Sequence, residues 1–574
     1  MGRARSHPVH AIRLLHDQKT PARDGAQLST DVVLPRAPGA YPTILLRTPY
    51  NNMRGVFVER AVWFASRGYA VAMQDCRGRH ESSGTFGAYA QEPNDGYDTF
   101  EWLGNQPWCN GTIGMWGRSY GALIQWHCAP LRPPGLACMA AHVMADDYFN
   151  DYHYVGGAFQ LALSIAATVI WSTENTILEY GGAELFNHPR FYAHLPLIDL
   201  DVEALGHPVS YWREWLEHPT DGEYWRTVGT IGKAACVDVP VFQQYGWFDP
   251  YARCAFRNHA ALTGAGSAGV GGRHRVLVGP WSHEDPAGTR MGQLDFGPQA
   301  AVDMREEELR WFDRWLRGAD DPAEDRGPIR IFVMGDDVWR GESEWPLART
   351  VYTDYYMHSG GRANSLYGDG RVTREPPGEE PPDRYVSDPR NPVPTLGGVN
   401  SLGTMMQAAA LPLVPGPVDQ RPVERRDDVL VYTGPELDED LEVTGPIDVV
   451  LYAETSARDT DFALKLVDVH PDGRAMNVTE GILRGRYRRG LDRTEPVAPR
   501  TVDEFRVQLY PTSHVFRPGH RIRLDVAGTN FPRFSRNLQT GEDVATGTRM
   551  VEAAQTVLHT GAYSSRVILP VIPR

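Results

Sequence analysis

Residues 114–121 read Gly-Met-Trp-Gly-Arg-Ser-Tyr-Gly, with a glycine two positions before the serine and another two positions after it. This Gly-x-Ser-x-Gly pattern is typical of a tight strand-to-helix turn, because the strained backbone at the serine leaves room only for small neighbours. Thr112–Trp116 can supply the strand and Ala122–Cys128 the helix. The pattern alone often arises by chance, but with these flanks it predicts that Ser119 is a nucleophile at the positive end of a helix dipole.

A serine hydroxyl is a weak nucleophile at neutral pH and needs a general base. Where such a turn carries the nucleophile, the chain order is serine, then an acid, then histidine. Asp249 follows an apolar strand predicted over Pro240–Tyr245, and His283 follows another predicted over Arg275–Val278. Because open α/β sheets build their sites at the carboxyl ends of strands, we predict that Asp249 and His283 complete a triad with Ser119.

Other interpretations of these residues stay open at this point. An aspartate after a strand is often a helix N-cap, and a histidine there is often an ordinary loop residue. Two rival acids are also present. Asp75 precedes the serine, which is the wrong chain order, and Asp285 is too near His283 in the chain to be its usual partner.

The tetrahedral intermediate of acyl transfer needs hydrogen-bond donors that face its oxyanion. One donor should be the backbone N–H of Tyr120, the residue after the predicted nucleophile. The loop after an early strand should supply the second, and here it reads Arg47-Thr48-Pro49-Tyr50 without a glycine-rich run. The Tyr50 hydroxyl is the natural substitute, although a loop tyrosine more often has a packing role.

The sequence around these residues predicts an α/β fold. Apolar strands alternate with helical stretches up to about residue 140, and the alternation resumes near residue 236 and includes a helix over Met304–Leu316. The early predicted strands are Ala26–Leu34, Thr43–Leu46 and Ala70–Met73. Between the two blocks lies a segment rich in helix formers and aromatic residues, with no clear strand. We predict an α/β-hydrolase catalytic domain (1–140 and 236–345) with an inserted helical cap (141–235).

Beyond residue 345 the helical patterns nearly vanish. Short apolar strands separated by turns predict a β-sandwich, specifically a jelly roll, over residues 346–574. The predicted strands are Asp428–Tyr432, Asp448–Tyr452, Phe462–Val469, Phe505–Leu509, Arg521–Val526 and Val567–Ile572.

The composition disfavours several classes of function. The chain of 574 residues has a formal net charge of -15, and an acidic surface disfavours nucleic acid and anionic membranes as partners. Its six cysteines form no Cys-x-x-Cys pair, so neither a disulfide framework nor a zinc site is expected. Reduced, partly buried thiols fit best, so we expect a cytoplasmic protein. We find no secretory signal and no apolar run long enough for a transmembrane helix.

Two further patterns bear on cofactors. Gly264–Gly269 matches Gly-x-Gly-x-x-Gly, but a strand follows it where a dinucleotide site needs a helix. The histidines show no metal-ligand spacing. We therefore expect no cofactor and no metal, and a small-molecule ester or amide as the partner. The oligomeric state stays open, and exposed jelly-roll strands that can pair between copies make a homodimer one expectation.

Motifs along nearly the whole chain resemble the serine hydrolase family of cocaine esterases, X-prolyl dipeptidyl peptidases and α-amino acid ester hydrolases (CocE/NonD-type hydrolases). The matching segments are Arg47–Tyr50, Gln74–Gly78, Ser83–Gly84, Pro107–Gly111, Gly246–Asp249, Gly279–His283, Phe332–Gly335, Asp461–Val469 and Arg517–Ile522. The resemblance implies an α/β-hydrolase domain, a helical cap and a jelly roll. It also implies a triad of Ser119, Asp249 and His283, with an oxyanion hole formed by Tyr50 and Tyr120.

The chain departs from the family pattern in two places. Ala122 stands where the family usually has glycine, and Tyr152 stands where a tryptophan lines the acyl pocket of members of the family. The resemblance therefore carries over the chemistry and leaves the substrate open. We expect the substrate to contact Tyr152, Trp171 and Phe248. Asp147 and Asp151 offer a site for a substrate amine, or they are solvated or capping carboxylates.

These predictions describe an enzyme that cleaves an ester or amide through an acyl-enzyme intermediate. One alternative is a dipeptidyl peptidase, α-amino acid ester hydrolase or acylase, which requires a free amine in its substrate. A second is a biosynthetic acyltransferase with an acceptor other than water. A third is a non-catalytic protein whose jelly roll binds a ligand such as a carbohydrate.

Overall fold

The computed structural model describes residues 6–174, 189–264, 273–283, 286–320, 327–400 and 413–574. The rival acid Asp285 and most of the glycine-rich segment lie outside these residues. Within them, two extended sheets organise the chain, and none of the helices is both long and apolar enough to cross a membrane.

The first sheet contains ten strands among the described residues, in the order β1-β2-β4-β3-β5-β6-β9-β10-β13-β14. The strands up to Glu342 are β1 (Ile12–Pro21), β2 (Gln27–Pro35), β3 (Tyr41–Thr48), β4 (Ala70–Asp75), β5 (Cys109–Arg118), β6 (Leu136–His142), β7 (Tyr154–Val155), β8 (Ala158–Phe159), β9 (Val241–Gly246), β10 (Arg275–Gly279), β11 (Arg290–Met291), β12 (Leu294–Asp295), β13 (Ile329–Val333) and β14 (Val338–Glu342). From β4 to β13 along this order, neighbouring strands are parallel. The pairs β1–β2, β2–β4 and β13–β14 are antiparallel.

Helices cover both faces of this sheet, as its apolar strands require. The helices are α1 (Gly55–Ala65), α2 (Glu92–Gly104), α3 (Tyr120–Cys128), α4 (Leu161–Ser172), α5 (Pro189–Tyr192), α6 (Leu200–Leu205), α7 (Ser210–Glu217), α8 (Glu223–Val228), α9 (Ala252–Thr263), α10 (Met304–Arg317) and α11 (Arg421–Glu424). Alternate residues of β3 point to opposite sides. Ile44 and Leu46 join the core under α1 and α10, whereas Leu45 joins the core under α2, α3 and α9.

The chain between β6 and β9 forms the inserted helical segment. It begins with a π-helix over Tyr148–His153, continues through α4, and includes α5 to α8. We expected no strand here, yet β7 and β8, with two residues each, pair as a short antiparallel hairpin. Its turn residues Gly156 and Gly157 have positive φ, and a Cβ on either would overlap Ile482 or Tyr487. The turn therefore lies against the C-terminal domain.

The second sheet connects eleven strands of the described chain, and all their pairs are antiparallel except β16–β18. Its strands are β15 (Val351–His358), β16 (Arg371–Thr373), β17 (Asp383–Ser387), β18 (Val429–Thr433), β19 (Leu441–Thr455), β20 (Asp461–Val469), β21 (Ala475–Arg484), β22 (Asp503–Phe516), β23 (Arg521–Ala527), β24 (Ala553–Leu558) and β25 (Arg566–Ile572). Every one of these strands contributes to one enclosed apolar core, as in a sandwich.

The six strands predicted in this half all fall on observed strands, and the predicted fold class is confirmed. Short 3₁₀ helices complete the secondary structure, at Ala129–Leu131, Leu197–Asp199, Lys233–Cys236, Pro298–Ala300 and Gly485–Tyr487. The sequence did not predict β15, β16, β17, β21 or β24. Strand β21 shows why: all of it is buried, so it lacks the alternation by which a half-buried strand is recognised.

Candidate active site

Ser119 occupies the turn between β5 and α3, with a φ of 54° and a ψ of -123°. Such a positive φ is uncommon for a residue with a side chain. The turn is so tight that a Cβ on Gly117 would overlap the carbonyl of Gly121. A Cβ on Gly121 would lie 3.3 Å from the Arg47 carbonyl oxygen. The local structure is thus the one that the Gly-x-Ser-x-Gly spacing predicts.

The turns after β9 and β10 are joined backbone to backbone. The Trp247 N–H donates to the Gly279 carbonyl oxygen at 2.9 Å, and the Phe248 N–H donates to the Trp281 carbonyl oxygen at 2.9 Å. A Cβ on Gly246 would overlap the Trp281 carbonyl, so glycine at this position permits the close approach. The two motifs that resemble the family in this region therefore form one structural unit.

This unit brings the predicted acid and base together. Asp249 is fully buried, and its Oδ2 lies 3.1 Å from His283 Nδ1. Its Oδ1 accepts a hydrogen bond from the Tyr251 N–H at 2.8 Å, which fixes the carboxylate orientation. Because Nδ1 faces the carboxylate, Nε2 is the ring nitrogen left to act on a nucleophile.

Arg118 connects the nucleophile turn to the histidine turn. One of its guanidinium nitrogens donates to the His283 carbonyl oxygen at 3.2 Å, and another donates to Gln244 Oε1 on β9 at 2.7 Å. The residue before Ser119 thus holds the base-bearing segment at the same rim of the sheet. Sequence reasoning missed Arg118, because the motif leaves its position unspecified.

Tyr50 follows β3 at this rim, and its ring lies 6.5 Å from that of Tyr120. Burial raises the pKa of the Tyr50 hydroxyl, and the neighbouring Trp171 and Ser119 offset part of the rise. The hydroxyl therefore stays protonated and can donate to an oxyanion. Its loop is held by the buried Asp75, whose Oδ1 accepts the Asn52 N–H at 2.8 Å.

Tyr120 begins α3, so its backbone N–H has no partner within the helix. Its side chain is anchored below the turn: the hydroxyl donates to Glu92 Oε1 at 3.1 Å and accepts the Tyr89 N–H at 3.0 Å. Glu92 in turn pairs with the fully buried Arg47 at 2.9 Å. This network fixes the residue whose N–H was predicted as an oxyanion donor.

Aromatic rings from the cap lie over the nucleophile turn. The Trp171 ring is 5.1 Å from that of Tyr120 and 6.4 Å from that of Tyr152. Tyr152 also contacts Tyr251 at 5.6 Å, and Tyr251 contacts His283 at 5.5 Å. Tyr152 and Trp171, two of the three residues predicted to contact substrate, therefore lie among these rings. Phe248, the third, is buried beside Asp249 and takes no part in these ring contacts.

Comparison with known proteins identifies this architecture. A family model described as X-Pro dipeptidyl-peptidase (S15 family) matches residues 24–285, and one described as the X-Pro dipeptidyl-peptidase C-terminal non-catalytic domain matches residues 322–568. A cocaine esterase from Rhodococcus sp. (strain MB1 Bresler) is 34% identical over 96% of this chain and 98% of its own. The chain belongs to the S15 family of serine hydrolases. The predicted resemblance and the predicted enzyme class are confirmed.

Two solved structures match this S15 hydrolase over nearly its full length. An aminopeptidase from the marine sediment archaeon Thaumarchaeota archaeon has a TM-score of 0.84 and 25% identity, and the match covers 98% of this chain and 97% of the other. An α-amino acid ester hydrolase has a TM-score of 0.81 and 25% identity, with 100% and 98% covered.

The carboxylates suggested as an amine site have partners within this S15 hydrolase. Asp147 caps the π-helix by accepting the Asn150 N–H at 2.8 Å, and burial raises the pKa of Asp147 to about 7. Asp151 is buried between Arg257 and Arg253, the latter 3.2 Å away. Burial opposes its ionisation, but the two arginines outweigh burial and lower its pKa. Both arginines lie on α9, where no motif pointed to them.

Proposed function

We propose that this S15 hydrolase cleaves an ester, or a related amide, of a small acyl substrate through a Ser119 acyl-enzyme. The observation that carries the proposal is the 3.1 Å contact between the buried Asp249 carboxylate and His283 Nδ1, on the rim where Arg118 ties the histidine turn to Ser119. A carboxylate so placed selects the tautomer with Nε2 unprotonated and stabilises the imidazolium that forms.

The proposed reaction has two steps. His283 Nε2 accepts the proton of Ser119 as the oxygen attacks the substrate carbonyl, and the Tyr50 hydroxyl and the Tyr120 N–H donate to the oxyanion. The imidazolium then protonates the leaving alcohol or amine as its bond to the acyl carbon breaks. Water, deprotonated by the same imidazole, hydrolyses the acyl-enzyme and restores the serine hydroxyl.

The surroundings favour a substrate with an uncharged acyl group. Tyr152 and Trp171 place aromatic rings beside the nucleophile turn, and such rings pack well against an apolar acyl group. Asp151 is already paired with two arginines, and Asp147 is engaged as a helix cap. A substrate ammonium would have to compete with these partners. We therefore expect neutral esters to be cleaved faster than dipeptidyl substrates.

The test is a panel of neutral esters, amino acid esters and dipeptidyl anilides, measured on wild type, Ser119→Ala and the exposed control Ser343→Ala. We expect ester turnover to fall by about 10⁴- to 10⁶-fold in Ser119→Ala and to persist in Ser343→Ala. A fluorophosphonate probe should label wild type and not Ser119→Ala. Substantial turnover by Ser119→Ala, or faster cleavage of dipeptidyl anilides than of neutral esters, would overturn the corresponding part of the proposal.

A further inference from the structure

Asp468 lies at the end of β20 in the C-terminal domain and is surrounded by imidazoles. Its Oδ1 is 2.8 Å from His520 Nδ1, and its Oδ2 is 3.1 Å from His514 Nε2 and 3.7 Å from His470 Nε2. Four other buried carboxylates of this domain pair with arginine instead: Asp459 with Arg486, Asp461 with Arg484, Glu424 with Arg523, and Glu480 with Arg533. Among the described residues, the ionic partners of Asp468 are all histidines.

We propose that Asp468, His470 and His520 bind one divalent transition-metal ion, such as Zn²⁺. One ligand atom from each of the three residues lies within 4.8 Å of the other two. A zinc ion bound at about 2.0–2.1 Å needs ligands about 3.3 Å apart, so rotations of the side chains bring the set into range. Imidazole with one carboxylate suits zinc and its neighbours, whereas Mg²⁺ and Ca²⁺ require mainly oxygen ligands.

The surroundings of the cluster match what a metal site needs. The Asp468 side chain is 4% exposed, whereas His470 and His520 are 18% and 15% exposed, so an ion can enter from solvent and a water can complete its four ligands. His514 Nε2 contacts Asp468 Oδ2. Ligating carboxylates usually have such an outer hydrogen-bond partner, which orients them toward the metal.

The position suggests a structural role for the ion. His470 lies in the turn between β20 and β21, and His520 lies in the turn between β22 and β23. A shared ion would cross-link these two hairpins. His514 also lies on β22 next to its contact with the catalytic domain, where the Met334 N–H donates to the Ser513 carbonyl oxygen at 3.0 Å. The ion would therefore stabilise the sandwich near the domain junction, and its role does not depend on the proposed function.

The experiment titrates Zn²⁺ into chelator-treated full-length protein in competition with a chromophoric zinc chelator. Wild type should bind one equivalent more than His470→Gln, while the exposed control His7→Gln should match wild type. His470→Cys replaces the imidazole with a thiolate, which also ligates zinc, and should retain binding. All four proteins should keep the same ester turnover before zinc is added.

A second measurement is the thermal midpoint. Zinc at a hundredfold excess over its Kd should raise the unfolding midpoint of the C-terminal domain (346–574) by about 5 °C in wild type and leave that of His470→Gln unchanged. Equal zinc stoichiometry in wild type and His470→Gln would overturn the proposal, as would a wild type that binds none. An equal midpoint shift with Mg²⁺ would also overturn it, because imidazole ligands do not favour that ion.

Discussion

Gly246→Ala tests whether the close approach of the β9 and β10 turns is what aligns Asp249 with His283. The added Cβ would overlap the Trp281 carbonyl and lie 3.0 Å from the Ser282 carbonyl oxygen. Because the obstacle is backbone, the histidine turn must move by about 1 Å, and a displacement of that size costs about 10²-fold in rate. If the 3.1 Å contact is lost entirely, the cost approaches the roughly 10⁴-fold expected when the carboxylate no longer supports the histidine.

We therefore expect kcat for the best ester to fall by about 10²- to 10⁴-fold, which corresponds to about 3–5 kcal/mol in activation free energy. The assay is steady-state hydrolysis, with circular dichroism and the thermal midpoint recorded on the same samples. Gly104→Ala is the matched control, because nothing lies within 4 Å of its added Cβ. A folded Gly246→Ala enzyme with kcat within about threefold of wild type would refute the reasoning.

Three further variants test other parts of the site. Tyr50→Phe removes the proposed oxyanion donor and should lower kcat by about 10²- to 10³-fold with little change in thermal midpoint; a smaller loss would favour a packing role. Burial raises the pKa of Asp75 to about 7, so its ionisation should destabilise the folded state as pH rises from about 4 to 7, by up to about 4 kcal/mol. The midpoint of Asp75→Asn relative to wild type should rise over that range and then level off, whereas a constant difference would contradict the assignment. Arg257 pairs with Asp151 and also with the buried Asp146, so Arg257→Ala leaves Asp146 without its arginine and should lower the free energy of unfolding by about 3 kcal/mol, measured by urea denaturation; an unchanged value would show that these pairs contribute little.

Secondary-structure elements that are marked by local sequence signals could be predicted, whereas elements that depend on their place in the sheet could not. Helix α10 matches its prediction within one residue, because Asp303 caps its start and Gly318 adopts the left-handed conformation at its end. Strand β1 was missed: its edge position leaves charged side chains along it, and a bulge between Leu15 and Gln18 interrupts the alternation.

The sequence by itself determined the turn at Ser119 and the chain order of the proposed triad, because both depend on local sterics and on the succession of strands. The tertiary structure decided which distant groups meet. Arg118 reaches His283, and α9 sends Arg257 to Asp151, because strand order and helix packing bring these segments together. The histidines around Asp468 follow the same rule: they come from separate hairpins, and no spacing along the chain shows that β20 and β23 are neighbours.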